Sequence, residues 1–127
     1  MAELPQKGKV YTYRDLIVWQ KAMDLVVLCY EVSDRLPAKE RYGLASQIQR
    51  SVVSIPSNIA EGYGRRHTGD YFHHLSMANG SLKELETQLL IAVRLKYVTE
   101  SDIASAMSLA SEVGRMLTSL MSKLRRR

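Results

Sequence analysis

Residues 99–124 read TESDIASAMSLASEVGRMLTSLMSKL, and within them Ile103, Met107, Ala110, Gly114, Leu117, Met121 and Leu124 follow one another at alternating spacings of four and three. At 3.6 residues per turn, that alternation places all seven on one stripe of an α-helix. Ahead of the stripe, Thr99 and Asp102 stand three apart, the pattern of a capping box with Asp in the place of Glu. The segment is a long amphipathic helix with a marked start, and such a helix requires other helices to cover its apolar side.

Three earlier segments carry the same period. Over residues 13–34, Leu16, Trp19, Met23, Val26, Val27 and Tyr30 form a core stripe, and Leu36-Pro37 ends the run. Over residues 40–63, Leu44, Ala45, Ile48, Val52, Ile55 and Ile59 share a side, and Gly62 and Gly64 close the helix. Pro56 lies inside it, where it removes a donor and crowds the carbonyl of Val52, so a kink is expected near Ser54, with the hydroxyls of Ser51 and Ser54 reaching freed carbonyls. The third segment opens with Thr68 as N-cap and Asp70 in the first turn, carries Leu75, Ala78, Leu82, Leu85, Leu89 and Ala92, and ends near Tyr97. Connections of a few residues force neighbours to run antiparallel, which predicts an all-α, up-down-up-down four-helix bundle over residues 13–127 behind a flexible tail of residues 1–12. No strand signal or internal repeat competes with it.

A chain of 127 residues suits one domain. Its 46% hydrophobic and 24% charged residues are ordinary for a globular protein, and three prolines leave little room for loop. Residues 1–11 lack an apolar stretch of signal-peptide length, and the densest apolar run, residues 25–30, is far shorter than a membrane span. A cytoplasmic location and no membrane partner are expected. The single cysteine, Cys29, sits in an apolar helical segment as a small hydrophobe.

Two helices carry more apolar surface than a core stripe. Val18, Leu25, Leu28 and Val32 lie opposite the core stripe of the first helix, and Leu109, Val113, Met116 and Leu120 form a second stripe beside that of the fourth. Exposed together, they would make a larger apolar patch than a soluble monomer tolerates, so they are the expected interface of a homo-oligomer.

Catalytic and cofactor signatures are missing from the sequence. A di-iron bundle needs Glu-x-x-His pairs, and none occurs. Asp70, His73 and His74 cluster, but adjacent histidines point about 100° apart on a helix, so a solvated helix start is the better reading. Gly62-Tyr63-Gly64 and Gly80-Ser81 lack the lysine of a phosphate loop, and no serine sits in a nucleophile elbow. No enzyme activity, metal, cofactor or small-molecule substrate is therefore expected. Polar residues do interrupt apolar faces: Asn79, Ser81 and Glu86 in the third helix, and Ser57, Asn58 and Glu61 just past Pro56 in the second. Antiparallel packing would join the two groups in a structural hydrogen-bond network that fixes helix register.

Lys and Arg number 18 against 13 Asp and Glu, a net charge of +5. In an up-down-up-down bundle the start of the first helix, the end of the second, the start of the third and the end of the fourth share one end. That end would collect Lys7, Lys9, Arg14, Arg65, Arg66, Lys123, Arg125, Arg126 and Arg127, against Glu3, Asp15, Glu61 and Asp70, with Glu61 facing inward. Such a concentration of cations suits phosphate contacts with RNA or DNA.

Three stretches resemble a known family. They are Leu16-x-Val18-Trp19-Gln20-Lys21-Ala22, Ser54-Ile55-Pro56-Ser57-Asn58-Ile59-Ala60-Glu61-Gly62, and Gly80-Ser81-x-x-Glu84-Leu85-Glu86-Thr87-Gln88-Leu89. Together they resemble the four-helix-bundle family first noted as reading frames in intervening sequences of 23S ribosomal RNA genes, over most of the chain. The resemblance implies a bundle assembled as a homopentameric ring, and it extends to the accessory protein of diversity-generating retroelements, a basic pentamer that contacts a reverse transcriptase and nucleic acid. It implies no catalytic residues. Two functions follow as expectations: a scaffold for RNA, DNA or a nucleic-acid enzyme, or a structural protein-interaction module in which the charge is incidental.

Overall fold

The structure, a computed structural model, describes residues 9–125, and among them every regular element is helical. A 3-10 turn, Tyr13–Asp15, precedes α1 (Ile17–Ser33), and a second, Ala38–Glu40, precedes α2 (Leu44–Tyr63); α3 (Thr68–Arg94) and α4 (Glu100–Arg125) follow. Each helix packs closely on two others: α1 and α3 both lie against α2 and α4, while the backbones of α1 and α3 do not come close. The four form a four-helix bundle around one core.

The helix ends show how local sequence sets the boundaries. At α4 the Thr99 N–H donates to the Asp102 carboxylate at 2.8 Å and the Asp102 N–H donates to the Thr99 hydroxyl at 3.1 Å, the reciprocal box read from the sequence. The chain before α2 has no Ser, Thr, Asp or Asn to cap it; instead the Glu40 carboxylate reaches forward to the Leu44 N–H at 2.9 Å. Gly43 makes room, because a Cβ there would lie 2.6 Å from Glu40 Oε1. Lys96 turns α3 off with φ 64°, the Lys96 N–H donating to Val93 O and the Tyr97 N–H to Ala92 O, a Schellman ending on a residue other than glycine. The second helix therefore starts four residues later than its periodicity suggested, and the third stops three residues earlier.

The core confirms the stripes of α2 and α3 residue for residue: Ile48, Val52, Ile55 and Ile59 meet Leu75, Ala78, Leu82, Leu85, Leu89 and Ala92, all fully buried. α4 buries Ile103, Ala110, Leu117 and Leu124 of its expected stripe, leaves Met107, Gly114 and Met121 half-buried, and turns Ala106 and Val113 inward as well. α2 runs unbroken through Pro56, and its neighbours bond differently from expectation: the Ser57 hydroxyl donates to Val53 O at 2.8 Å and the Asn58 amide to Ser54 O at 2.9 Å.

α1 reverses its expected faces. Val18, Leu25 and Val32, expected at a subunit interface, are closed inside the core with Ala22 and Cys29, whereas Met23, Val27 and Tyr30 of the expected core stripe are exposed. Val113 is likewise fully buried, and Leu28, Leu109, Met116 and Leu120 pack half-buried against the core. A side chain sealed by its own subunit has no surface to offer a second one, so Val18, Leu25, Val32 and Val113 are not interface residues. The buried stripe lies away from the polar Gln20, Asp24 and Glu31, and its flanks are marked by the ion pair of Lys21 with Glu112 of α4, 2.7 Å, and by a hydrogen bond from Gln49 of α2 to the Ser33 hydroxyl, 3.0 Å. The side between those two flanks is the one turned inward. Burial pushes the Cys29 thiol up to about 12, leaving it neutral and inert, as its apolar setting suggested. Among the described residues no helix is long and apolar enough to cross a membrane.

Candidate nucleic-acid interface

Three contacts gather the expected basic end. The close of α4 reaches the start of α3, with the Arg125 guanidinium 5.1 Å from the centre of the Phe72 ring. The entry to α1 lies along the same end of α4, where Lys9, Asp15 and Leu16 share a groove of about 450 Å³ with Ser119, Leu120 and Lys123. The close of α2 meets α3 so tightly that a Cβ on Gly62 would stand 2.6 Å from the Cβ of His74. Lys9, Arg14, Arg65, Arg66, Lys123 and Arg125 are all exposed there. Lys7, Arg126 and Arg127 lie outside the described residues.

The acids of this end are mostly engaged. Asp15 accepts from the backbone N–H groups of Tyr11 and Thr12 at 3.0 Å each. Glu61 is exposed and paired with Arg65 at 2.9 Å, which corrects the expectation that it faces inward. Among the described residues, Lys9, Arg14, Arg66, Lys123 and Arg125 make no ion pair. Arg14 and Arg125 instead lie over the rings of Tyr13 and Phe72, contacts that leave the guanidinium edges free to donate.

Only part of the expected polar network forms. The Asn58 amide nitrogen donates to the Ser54 carbonyl and hydroxyl at 2.9 and 3.0 Å, Ser54 Oγ meets Ser81 Oγ at 2.9 Å, and Asn58 Oδ1 faces His74 Nδ1 at 3.1 Å. Asn58 and Ser81 are thus joined through Ser54, and Asn58 also meets His74; the expected network contained neither Ser54 nor His74. Ser57 is exposed and bonded to its own helix, and Asn79 and Glu86 lie elsewhere, beside a groove shared with Ser111, Gly114 and Thr118 of α4. Glu86 pairs there with Lys83 at 3.2 Å. The separation follows from helix geometry: Asn79 and Ser81 are two residues apart, about 200° around the axis, so they cannot face the same neighbour. Gln88, also on α3, is buried with its amide oxygen unpartnered among the described residues. Of the histidine cluster, His74 turns to Asn58 while Asp70 and His73 are exposed, and among the described residues no three acid, His or Cys side chains converge on a metal position.

These features define a class: small all-helical bundle proteins whose polar seam locks two helices together. The chain belongs to the 23S rRNA-intervening sequence protein family, whose model matches residues 14–119. Its fold is similar to that of a solved protein of unknown function from the S23 ribosomal protein family of Bacteroides thetaiotaomicron, with a TM-score of 0.77 and 24% identity over 83% of this chain and 98% of that one. At that identity the likeness speaks for the fold alone. No curated protein matches the chain.

Proposed function

We propose that the protein is a non-enzymatic, oligomeric scaffold whose basic end holds the phosphate backbone of RNA or DNA. The observation that carries this reading is the excess, among the described residues, of exposed cations at one end, Lys9, Arg14, Arg65, Arg66, Lys123 and Arg125, over the acids Asp15, Glu61 and Asp70. The opposite end has no such excess in number, since Arg35, Lys39, Arg41, Arg94 and Lys96 are balanced there by Glu31, Asp34, Glu40, Glu100 and Asp102, although among the described residues only Arg35 makes an ion pair. Side-chain cations at helix ends contact phosphates without reading sequence, so binding would be strong at low salt and weakly selective. In the up-down-up-down arrangement that the packing supports, a homopentameric ring with its subunits pointing one way would repeat the cations around one rim. The family's description names an intervening sequence of 23S rRNA, which puts RNA first among the partners to try.

The test is a titration against single-stranded RNA and duplex DNA across a range of salt. Affinity should fall linearly on a log–log plot, and replacing Arg65, Arg66 and Arg125 by Gln should flatten the slope by about 0.9 for each duplex phosphate contact removed. Binding and slope unchanged in that variant would remove this end as the site.

A second reading rests on the groove between the α1 entry and α4. Its walls include Leu16, Ile17, Met116 and Leu120; Lys9, Arg115 and Lys123 edge it, with Asp15 and Glu112, whose carboxylates are engaged by the Tyr11 and Thr12 N–H groups and by Lys21. A partner protein, including a nucleic-acid enzyme, would present an acidic amphipathic segment there. Salt-insensitive or absent nucleic-acid binding, with Met116→Asp abolishing capture of such a partner, would favour this module over the phosphate scaffold.

A further inference from the structure

Among the described residues, and apart from the groove at the α1 entry, α1 and α3 each expose a cluster of apolar side chains, and the charged edges of the two clusters have opposite sign. On α1, Met23, Val27 and Tyr30 are exposed along one stripe, Val27 at 59%. Asp24, Glu31 and Asp34 edge that stripe, all exposed and none in an ion pair among the described residues. On the last turns of α3, Leu90, Ile91 and Leu95 are exposed at 49%, 41% and 51%. Arg94 and Lys96 edge that surface, equally exposed and equally without an ion pair, while the acid Glu84 lies about two turns earlier on the helix.

We infer that these are the two halves of one contact between copies of the chain: the acid-edged stripe of α1 seats on the base-edged end of α3 of the next subunit. Charge complementarity selects the occupant. An α1 stripe meeting its own copy would oppose carboxylates to carboxylates, and two α3 ends would oppose cations to cations, so a symmetric pairing of either surface is repelled. The positions of the two surfaces agree with a repeating contact. α1 and α3 are diagonal helices whose backbones do not come close, so their outer sides look away from each other. Both helices end at the same end of the bundle, where Arg35 after α1 pairs with Asp102 at the start of α4, 2.9 Å, and Tyr97 after α3 bonds Glu40 ahead of α2, 2.8 Å. Copies joined α1 to α3 at one level would therefore all point the same way, with every basic end on one side. Head-to-tail contacts of this kind close into a ring when the rotation between copies permits.

The inference rests on the oligomeric part of the proposed function and is independent of nucleic-acid binding. Its test is sedimentation equilibrium of the full chain in three charge-reversed forms: Asp24→Lys with Glu31→Lys, Arg94→Glu with Lys96→Glu, and all four changes together. Each two-site form should dissociate with an association constant at least about tenfold lower, and the four-site form should recover wild-type mass, because the reversed faces match again. Circular dichroism should show the same helix content throughout, since all four positions are exposed. A wild-type assembly that neither reversal weakens, or a four-site form no better than the two-site forms, would overturn this interface while leaving the oligomer standing. A wild-type chain that stays monomeric would overturn both.

Discussion

The carbonyl oxygen of the Asn58 side chain stands 3.1 Å from Nδ1 of His74, joining α2 to α3 one turn before α2 ends. Its roles are fixed by what surrounds it. The Asn58 nitrogen is committed to the Ser54 carbonyl, which only accepts, so Oδ1 is the atom left for His74, and Nδ1 of the imidazole must carry the proton. Replacing Asn58 by Leu leaves that donor facing an apolar group and removes the amide donor from the Ser54 carbonyl and hydroxyl. A loss of about 1–3 kcal/mol is expected in urea denaturation. A midpoint equal to wild type would show that the seam contributes nothing net.

Two glycines on facing helices should respond oppositely to one added methyl. A Cβ at Gly62 would stand 2.6 Å from the His74 Cβ and 3.1 Å from the Tyr71 ring, so Gly62→Ala must push α2 and α3 apart. The expected cost is about 1–3 kcal/mol. At Gly80, within α3, a Cβ would meet nothing within 4 Å. Gly80→Ala should stabilise the chain by about 0.5–1 kcal/mol through the lower entropy of the unfolded state and the better helix propensity of Ala. Thermal melts of the two variants, read side by side, should shift in opposite directions.

Glutamate placed at Leu25 or Val27 distinguishes core from surface on one helix. Leu25 is fully buried, so Leu25→Glu should cost several kcal/mol and yield an unfolded or molten chain by circular dichroism. Val27 is 59% exposed, so Val27→Glu should keep the wild-type helix content and act on assembly instead. Equal helix loss in the two variants would mean that the face of α1 turned inward is not the one described.

Acid should weaken the bundle through two carboxylates at the end opposite the basic one. Hydrogen bonds from the Leu44 N–H and then from the Tyr97 hydroxyl hold Glu40 below its ordinary 4.5. The Thr99 N–H and hydroxyl partners, followed by a lesser contribution from Arg35, hold Asp102 below its ordinary 3.8. With folded values depressed, these groups contribute stability above the unfolded values, and the contribution is lost as pH falls through the folded ones. Glu40→Gln and Asp102→Asn should therefore melt below wild type at neutral pH and converge with it as the solution is taken below about pH 4. A difference in melting temperature that stays constant from neutral pH into acid would exclude both linkages.

The sequence alone determined the helices, the inward face of α2 and α3, and part of that of α4, where Val113 of the neighbouring stripe also turns inward. In α2, α3 and α4 polar residues occupy one side, so the apolar period has a direction, and Ile55, Leu82 and Leu117 could face only the core. It also placed the basic residues at helix ends, because short connections leave few ways to order four helices. α1 was different. Its apolar residues fall in two stripes, one with Val18, Leu25 and Val32 and one with Met23, Val27 and Tyr30, and the period alone fits either; packing against α2 and α4 buries the first, between the flanks marked by Lys21–Glu112 and Ser33–Gln49, and leaves the second outside beside Asp24 and Glu31. The polar seam was likewise beyond a one-dimensional reading: Asn58, Ser81 and Glu86 all interrupt apolar faces, yet which of them meet depends on the facing and axial register of two helices. That register is set where Gly62 lets α3 come close enough for His74 to reach Asn58.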